Sequence, residues 1–209
     1  MLLFAEHANY RRSLQNCEVP NQPRPRFMEE INWDDELAQL AHRQVAACDL
    51  DSHYKEAEIN KEYKSSVGKN TADNRDPYAA VREWFDEHQY YNYTRNSCSH
   101  PNGCSHYKRI VWGRAEFMGC AVGGCGPGTR VRSGQIVVCY YSPMENVERQ
   151  QPYEADWINI CRAQRPTTPR PAPPPLTPPQ PITTRLMTTT TEKLTIGPYG
   201  RYRCNCECD

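Results

Sequence analysis

The sequence predicts an α+β domain that is stabilised by disulfides and lies outside the reducing interior of a cell. Amphipathic helical patterns come first along the 209 residues, strand-like runs follow them, and the chain contains 11 cysteines. Helices followed by paired strands are typical of an α+β fold with an antiparallel sheet. So many cysteines are rare in intracellular proteins, and none of them lies in the paired spacing that holds zinc.

Three amphipathic helices are predicted in the first half of the chain. The second follows Asp34, whose side chain can cap it, and the third follows Asp76, with Pro77 at its first position. On one face of each helix, mostly apolar side chains recur at helical spacing. These faces comprise Leu3, Phe4, His7, Tyr10 and Leu14; then Leu37, Leu40, Ala41, Val45 and Cys48; then Val81, Trp84, Phe85 and His88.

Three strand-like runs follow the helices. They cover residues 109–112, 117–122 and 135–141 and are rich in β-branched, aromatic and other apolar residues. The Gly-Pro-Gly sequence at residues 126–128 marks a turn between the last two runs. We therefore expect these two runs to pair in an antiparallel sheet.

The composition changes sharply after Cys161. Residues 166–198 are mostly proline and threonine, which cannot bury enough apolar surface to offset the entropy lost on ordering. We therefore expect a folded domain over residues 1–162, a Thr/Pro-rich disordered linker over residues 163–203, and a short cysteine-rich tail over residues 204–209.

The charge balance and the targeting signals of the chain exclude some classes of function and indicate its location. Lys and Arg number 25 in total, as do Asp and Glu, so no field of one sign attracts nucleic acid and we expect no nucleic-acid partner. The apolar start of the chain is too short for a signal peptide or a membrane span, so we expect a secreted, extracellular chain whose signal has been removed. The sequence Asn92-Tyr93-Thr94 is an N-glycosylation pattern, which agrees with secretion.

Five motifs follow one another along the chain and resemble those of a known family. They are Trp33-x-x-x-Leu37-Ala38 with Ala41 and Cys48, Gly68-Lys69-Asn70, Trp84-x-x-Glu87, Cys104-Ser105-His106-Tyr107 with Trp112, and Cys139-Tyr140-Tyr141-Ser142-Pro143 with Asn146. In this order they resemble the CAP superfamily (also SCP/TAPS), which includes plant pathogenesis-related proteins, venom allergens and cysteine-rich secretory proteins. The resemblance covers about residues 2–161, and the chain looks most like the venom allergen-like proteins of parasitic flukes (schistosomes).

The resemblance implies a fold and a disulfide framework. The fold would be a three-layer α-β-α sandwich with a central antiparallel sheet. The implied disulfides join Cys48 to Cys125, Cys98 to Cys104, and Cys120 to Cys139. Counting cysteines alone would leave many connectivities open. Cys17 and Cys161 remain in the domain, and we pair them by elimination.

The family builds a cleft from two histidines and two glutamates, a set that can hold a divalent cation. His106 and Glu87 occupy two of these positions, but Lys69 stands where a glutamate belongs. Ser52 stands where a histidine belongs, and His53 comes one residue late. A lysine ammonium repels a cation. We therefore predict a degenerate cleft with no metal, no cofactor and no catalytic residue, in which Glu87 and His106 form a structural hydrogen-bonded pair.

The resemblance also implies apolar ligands, because some family members bind fatty acids between two helices and some bind sterol at an aromatic loop. The corresponding residues here are Leu3, Phe4, Tyr10, Leu14, Val81, Trp84 and Phe85 for the helices, and Tyr90, Tyr91 and Tyr93 for the loop. From the residues alone, ordinary core packing and a solvated loop account for the same pattern.

Three functions follow from these observations. The first is a secreted carrier of sterol or fatty acid with a host-interaction role, which contacts membranes only transiently during lipid exchange. The alternative is an extracellular protein-interaction module without a lipid ligand, whose partners would be host extracellular proteins. A divalent-cation-dependent enzyme is the second alternative.

Overall fold

The structure, a computed structural model, describes residues 2–50, 63, 65–158 and 161. The predicted linker at 163–203 and tail at 204–209 lie outside these residues, as do Ser52 and His53. The α-helices of the described part are α1 (Leu2–Gln15), α2 (Asp35–Ala46), α3 (Pro77–Asp86) and α4 (Ser105–Ile110), and a 3-10 helix, Glu87–Tyr90, continues α3.

The predicted starts of the second and third helices are confirmed. The Asp34 carboxylate accepts a hydrogen bond from the Leu37 N–H at 2.8 Å at the start of α2. The Asp76 carboxylate accepts one from the Tyr78 N–H at 2.9 Å at the start of α3, directly before Pro77. Each carboxylate satisfies an N–H group that has no partner within its helix.

The strand predicted at 109–112 is wrong, because most of this segment is the end of α4 and the turn after it. Tyr107, Ile110 and Val111 are all fully buried, and their spacing of three and four residues places them on one side of a helix. A short apolar run is compatible with either element, and burial at helical spacing decides it here.

The strands at 117–122 and 135–141 are confirmed and are slightly longer than predicted. The strands of the described part are β1 (Asn32–Trp33), β2 (Gly68–Asp73), β3 (Tyr91–Asn92), β4 (Ser97–Cys98), β5 (Phe117–Gly124) and β6 (Gln135–Ser142). The main sheet has the order β1-β5-β6-β2. Its three long strands are antiparallel, but β1 pairs parallel with β5, so the sheet is mixed. Strands β3 and β4 form a separate antiparallel hairpin.

Helices cover both faces of the main sheet, which gives the three layers of an α-β-α sandwich. Side chains alternate along a strand, so neighbouring residues of β6 enter different cores. Val138 and Tyr140 pack with α2, whereas Val137, Cys139 and Tyr141 pack with α1, α3 and α4.

Four disulfides staple this sandwich. Cys48–Cys125 ties the end of α2 to the end of β5, and Cys120–Cys139 joins β5 to β6. Cys98–Cys104 connects the hairpin to the start of α4, and Cys17–Cys161 ties the turn after α1 to the end of the described chain. These are the three pairs implied by the resemblance and the pair expected by elimination. Across the described residues, no helix combines the length and apolar character that crossing a membrane requires.

Candidate functional site

An open groove lies beside the contact between α1 and the C-terminal end of α3. The rings of Tyr10 and Phe85 stack there, with centroids 4.0 Å apart and planes inclined by 13°. The groove has a volume of about 510 Å³, and Val19, Pro20 and His88 complete its apolar and aromatic lining. We call this concavity the helix groove. Its volume lies within the range of about 300–1,000 Å³ that is common for small-molecule sites.

The rim of the helix groove is polar. The polar residues that line it from α1 and the turn that follows are Asn9, Arg12, Ser13, Asn16 and Glu18. Arg12 is exposed and donates a hydrogen bond to the Asn9 side-chain oxygen at 3.3 Å. Burial lowers the pKa of His88, so this ring is uncharged at neutral pH. The site therefore combines a largely apolar floor with an edge that carries both the Arg12 guanidinium and the Glu18 carboxylate.

The other helix residues that were predicted to bind lipid divide into two groups. Leu14, Val81 and Trp84 are buried in the core and are not part of the groove lining. Leu3 and Phe4 are half-buried, and the Phe4 ring meets the Trp33 ring edge-on at 6.5 Å. Phe4 lines a second, smaller cavity of about 380 Å³ on another side of α1. Of the predicted helix residues, the structure thus brings Tyr10 and Phe85 together at the helix groove.

A separate concavity, which we call the tyrosine cleft, lies beside the β3–β4 hairpin. Tyr90 is exposed, whereas Tyr91 and Tyr93 are buried. The Tyr91 hydroxyl donates to the Asn96 side-chain oxygen, and the Tyr93 hydroxyl donates to the Tyr153 carbonyl. The cleft measures about 550 Å³ and is lined by all three tyrosines and by Trp157. It therefore presents aromatic rings, but two of the three hydroxyl groups are bonded to the protein.

The buried amine of Lys108 stabilises the β3–β4 hairpin. Lys108 is 4% exposed, and its Nζ donates to the Asn96 side-chain oxygen at 2.9 Å. Burial lowers the pKa of Lys108 to about 8, and its ammonium lies 5.7 Å from the centre of the Tyr91 ring. Asn96 has a φ of 45°, a left-handed conformation that asparagine tolerates better than most residues. The hairpin is thus fixed by an asparagine that accepts two hydrogen bonds.

Glu87 and His106 form the pair expected from the sequence. His106 Nδ1 lies 2.7 Å from one Glu87 carboxylate oxygen, and the other oxygen accepts the Tyr107 N–H at 2.9 Å. Lys69 lies on the edge strand β2 in register with Tyr140, so by strand alternation its side chain leaves the face opposite that of Asn70. Within the described part of the chain, which excludes Ser52 and His53, no cluster of three potential metal-ligating side chains occurs.

Two buried side chains of α1, Arg11 and His7, connect this helix to distant parts of the chain by hydrogen bonds. Arg11 donates to four backbone carbonyls, those of Ile110, Trp112, Glu29 and Ala115, at 2.8–3.2 Å. His7 Nδ1 lies 2.7 Å from the Leu3 carbonyl, which can only accept, so Nδ1 carries the proton. His7 Nε2 therefore accepts from the Tyr141 hydroxyl, at 2.7 Å. Burial lowers the pKa of His7 to about 4, so the ring is neutral.

The sequence interpretation missed several groove residues. Arg12, Val19 and Pro20 have no distinctive pattern, and Trp157 lies far along the chain from the tyrosines that it approaches. Arg11 did leave a signal, because it shares a helical face with His7 and Leu14 and all three are buried. A charged residue on a buried stripe indicates a bonded side chain.

Comparisons with known proteins agree with this architecture. The family model described as "Cysteine-rich secretory protein family" (CAP) matches residues 4–141. The chain is 31% identical over 126 residues to pathogenesis-related protein 1A of Nicotiana tabacum, covering 60% of this chain and 71% of that protein. It is 33% identical over 129 residues to peptidase inhibitor 16 of Mus musculus, covering 61% of this chain but 25% of that protein. The solved structure of Schistosoma mansoni venom allergen-like protein 4 gives a TM-score of 0.63 at 29% identity, over 74% of this chain and 93% of that one.

Proposed function

The chain belongs to the cysteine-rich secretory protein (CAP) family, and from this premise we propose that it is an extracellular protein that binds a fatty acid in the helix groove. The observation that carries the proposal is the stacked Tyr10–Phe85 pair at the floor of an open groove with Arg12 on its rim. A fatty acid matches this arrangement because it has an apolar chain and one terminal carboxylate.

Apolar burial supplies most of the proposed affinity. Removal of apolar surface from water contributes about 25 cal/mol per Å², so covering about 200 Å² of an acyl chain contributes about 5 kcal/mol. Lost translational and conformational freedom offsets part of this gain. Because this cost is of the same order as the gain, we expect weak binding with rapid exchange of the ligand.

Arg12 would pair with the carboxylate at the mouth of the groove. Because the guanidinium is exposed, the pair contributes only about 0.5 kcal/mol, which is a factor of roughly two to three in affinity. We therefore expect Arg12→Gln to weaken palmitate binding slightly and to leave the binding of the uncharged alcohol of the same chain length unchanged. Arg114→Gln, a change at an exposed arginine that does not line the groove, is the control.

A substitution that fills the groove tests the proposed site directly. Ser13 lines the groove, so Ser13→Trp would occupy the space that the acyl chain needs. Ala5→Trp introduces the same side chain at an exposed position of α1 and is the matched control. Solvent extracts of the purified full chain are analysed by mass spectrometry, and radiolabelled palmitate and cholesterol are titrated separately. We expect saturable palmitate binding that Ser13→Trp abolishes and Ala5→Trp retains.

The absence of co-purified lipid and of saturable binding would reject the lipid function and favour the extracellular interaction module. Equal binding by both tryptophan variants would reject the helix groove as the site. We assign no catalytic role to Glu87 and His106, because both carboxylate oxygens of Glu87 are engaged in hydrogen bonds within the fold.

A further inference from the structure

The glycosylation pattern in the hairpin opens onto the tyrosine cleft. Asn92 and Thr94, the two residues that define the pattern, are both exposed, and Tyr93 between them is buried. The Asn92 side-chain oxygen accepts the Arg95 N–H at 2.9 Å. Within the described part of the chain, Asn92 Nδ2, the atom that would carry a sugar, makes no hydrogen bond, and Asn92 lines the cleft. The folded hairpin therefore has room for a glycan at this atom.

The cleft has the chemistry of a carbohydrate site. Trp157 is 58% exposed and meets the Tyr93 ring edge-on at 6.1 Å, so one face of the indole is available. Around the aromatic rings, amide, hydroxyl and guanidinium groups complete the lining: Asn21, Gln89, Arg95, Ser97 and Ser99. A sugar ring has an apolar C–H face that packs on an indole and hydroxyl groups that bond to such side chains. A sterol would remove these polar groups from water without replacing their hydrogen bonds.

We infer that Asn92 carries an N-linked glycan and that the first sugars of this glycan lie in the tyrosine cleft against Trp157. In the transfer, a bond forms between Asn92 Nδ2 and the anomeric carbon of the first sugar. The bond from that carbon to the phosphate of a lipid-pyrophosphate-linked oligosaccharide donor breaks. The amide loses one proton, and the lipid pyrophosphate leaves.

An occupied cleft has a consequence for ligands. The same tyrosines that resemble a sterol-binding loop would be covered by the chain's own glycan, so sterol could enter only a chain that lacks it. This inference is independent of the helix groove, which is built from other residues. Loss of fatty-acid binding would leave the glycan in place, and loss of the glycan would leave the groove intact.

The presence of a glycan at Asn92 is tested on the full chain, secreted from a eukaryotic host. Intact-mass and glycopeptide analysis should show a glycan at Asn92 that is absent from Thr94→Ala, which removes the pattern but keeps the asparagine. An unmodified Asn92 in the secreted wild-type chain would overturn the inference.

Placement is tested by comparing Trp157→Ala with Trp33→Ala, a matched change at an exposed tryptophan of β1. In ¹³C-labelled glycan, protons of the first sugar should show upfield ring-current shifts that disappear in Trp157→Ala and persist in Trp33→Ala. Release of the glycan by a peptide N-glycosidase under native conditions should be about threefold faster in Trp157→Ala, as expected for loss of one aromatic contact. First-sugar shifts equal to those of a free glycan, or equal release rates in all three proteins, would overturn the placement.

Discussion

The two faces of the main sheet are joined to their helices by different interactions. On the face covered by α2, the backbones of helix and sheet are in close contact, because a Cβ at Gly119 would overlap the backbone of Asp34, Leu37 and Ala38. The Tyr140 hydroxyl of β6 also donates to the Gln44 side-chain oxygen of α2 at 2.8 Å. On the face covered by α1, α3 and α4, buried polar side chains bridge the layers. There Arg11 binds four carbonyls, and His7 reaches the Tyr141 hydroxyl of β6.

Buried side chains that bridge elements also lie beside the concavities that we assign to ligand and glycan. An open concavity of about 610 Å³ also lies along α2 and β5, but beside the helix groove and the tyrosine cleft bridging side chains hold the elements at defined distances. Gln22 illustrates this, since its amide nitrogen donates to the carbonyls of His88 and Tyr91, both at 2.9 Å. It therefore connects the segment after α1 to one residue that lines the helix groove and one that lines the tyrosine cleft. Close backbone contact thus distinguishes the α2 face, and hydrogen bonds from buried side chains to distant backbone carbonyls distinguish the other.

The largest effect is expected from Arg11→Met. Methionine fills similar volume but removes the guanidinium from four carbonyls, of which the Trp112 carbonyl keeps the Ala115 N–H. Each buried group left unsatisfied costs about 1 kcal/mol or more. We expect a loss of about 4 kcal/mol in the free energy of unfolding, measured by denaturant titration with the disulfides intact. Arg12→Met, at the exposed neighbouring position, should change stability by no more than about 0.5 kcal/mol. Similar losses in both variants would show that Arg11 does not organise this face.

A somewhat smaller effect is expected on the other face from Gly119→Ala. The added methyl group collides with backbone atoms of α2, so relief requires the helix to move away from β5. Overpacking of this kind costs about 3 kcal/mol at the upper end of its usual range. Gly126→Ala adds the same atoms where nothing lies within 4 Å, and it should be neutral to within about 0.5 kcal/mol. If Gly119→Ala is also neutral, then α2 is not in direct backbone contact with the sheet in solution.

Sequence patterns predicted the α2 face better than the opposite face. The Asp34 cap, the apolar stripe of α2 and the strands β5 and β6 are local features, and the disulfides between them followed from family motifs. The helix α4 was missed because a short apolar run fits a strand equally well until its burial is known. The bridging role of Arg11 depends on carbonyls about 100 residues away, which no local pattern contains.

The candidate site was predictable only in part for the same reason. Tyr10 and Leu14 lie on one predicted stripe, yet Tyr10 lines a groove and Leu14 is core. Periodicity identifies the side of a helix that faces the protein, but it does not show where packing is incomplete. The glutamate–histidine pair was expected from motif positions, whereas the convergence of Trp157 on the hairpin tyrosines required the fold.

The smallest of these effects is a loss of folding stability at low pH. It should originate on the face covered by α1, α3 and α4. Burial lowers the pKa of His7 from 6.5 to about 4 in the fold, and the charge of Arg11 contributes to the shift. The unfolded chain therefore takes up a proton first as the pH falls, so the contribution of His7 is present above about pH 6.5 and is lost toward about pH 4. Between about pH 7 and about pH 5 the expected loss is about 2 kcal/mol. His88, whose pKa is also lowered, acts in the same direction.

Denaturant titrations at these two pH values separate His7 from other titrating groups. In His7→Gln, the decrease in stability on acidification should be smaller than in the wild type by about 2 kcal/mol, whatever the stability of the variant at neutral pH. His42→Gln, at an exposed position of α2, is the matched control for the substitution and should follow the wild-type curve. Because His7 contacts α1 and β6 but not α2, hydrogen exchange at low pH should increase first in α1 and later in α2. An equally steep loss in His7→Gln would assign the acid sensitivity to other groups and would remove pH as a way to distinguish the two faces.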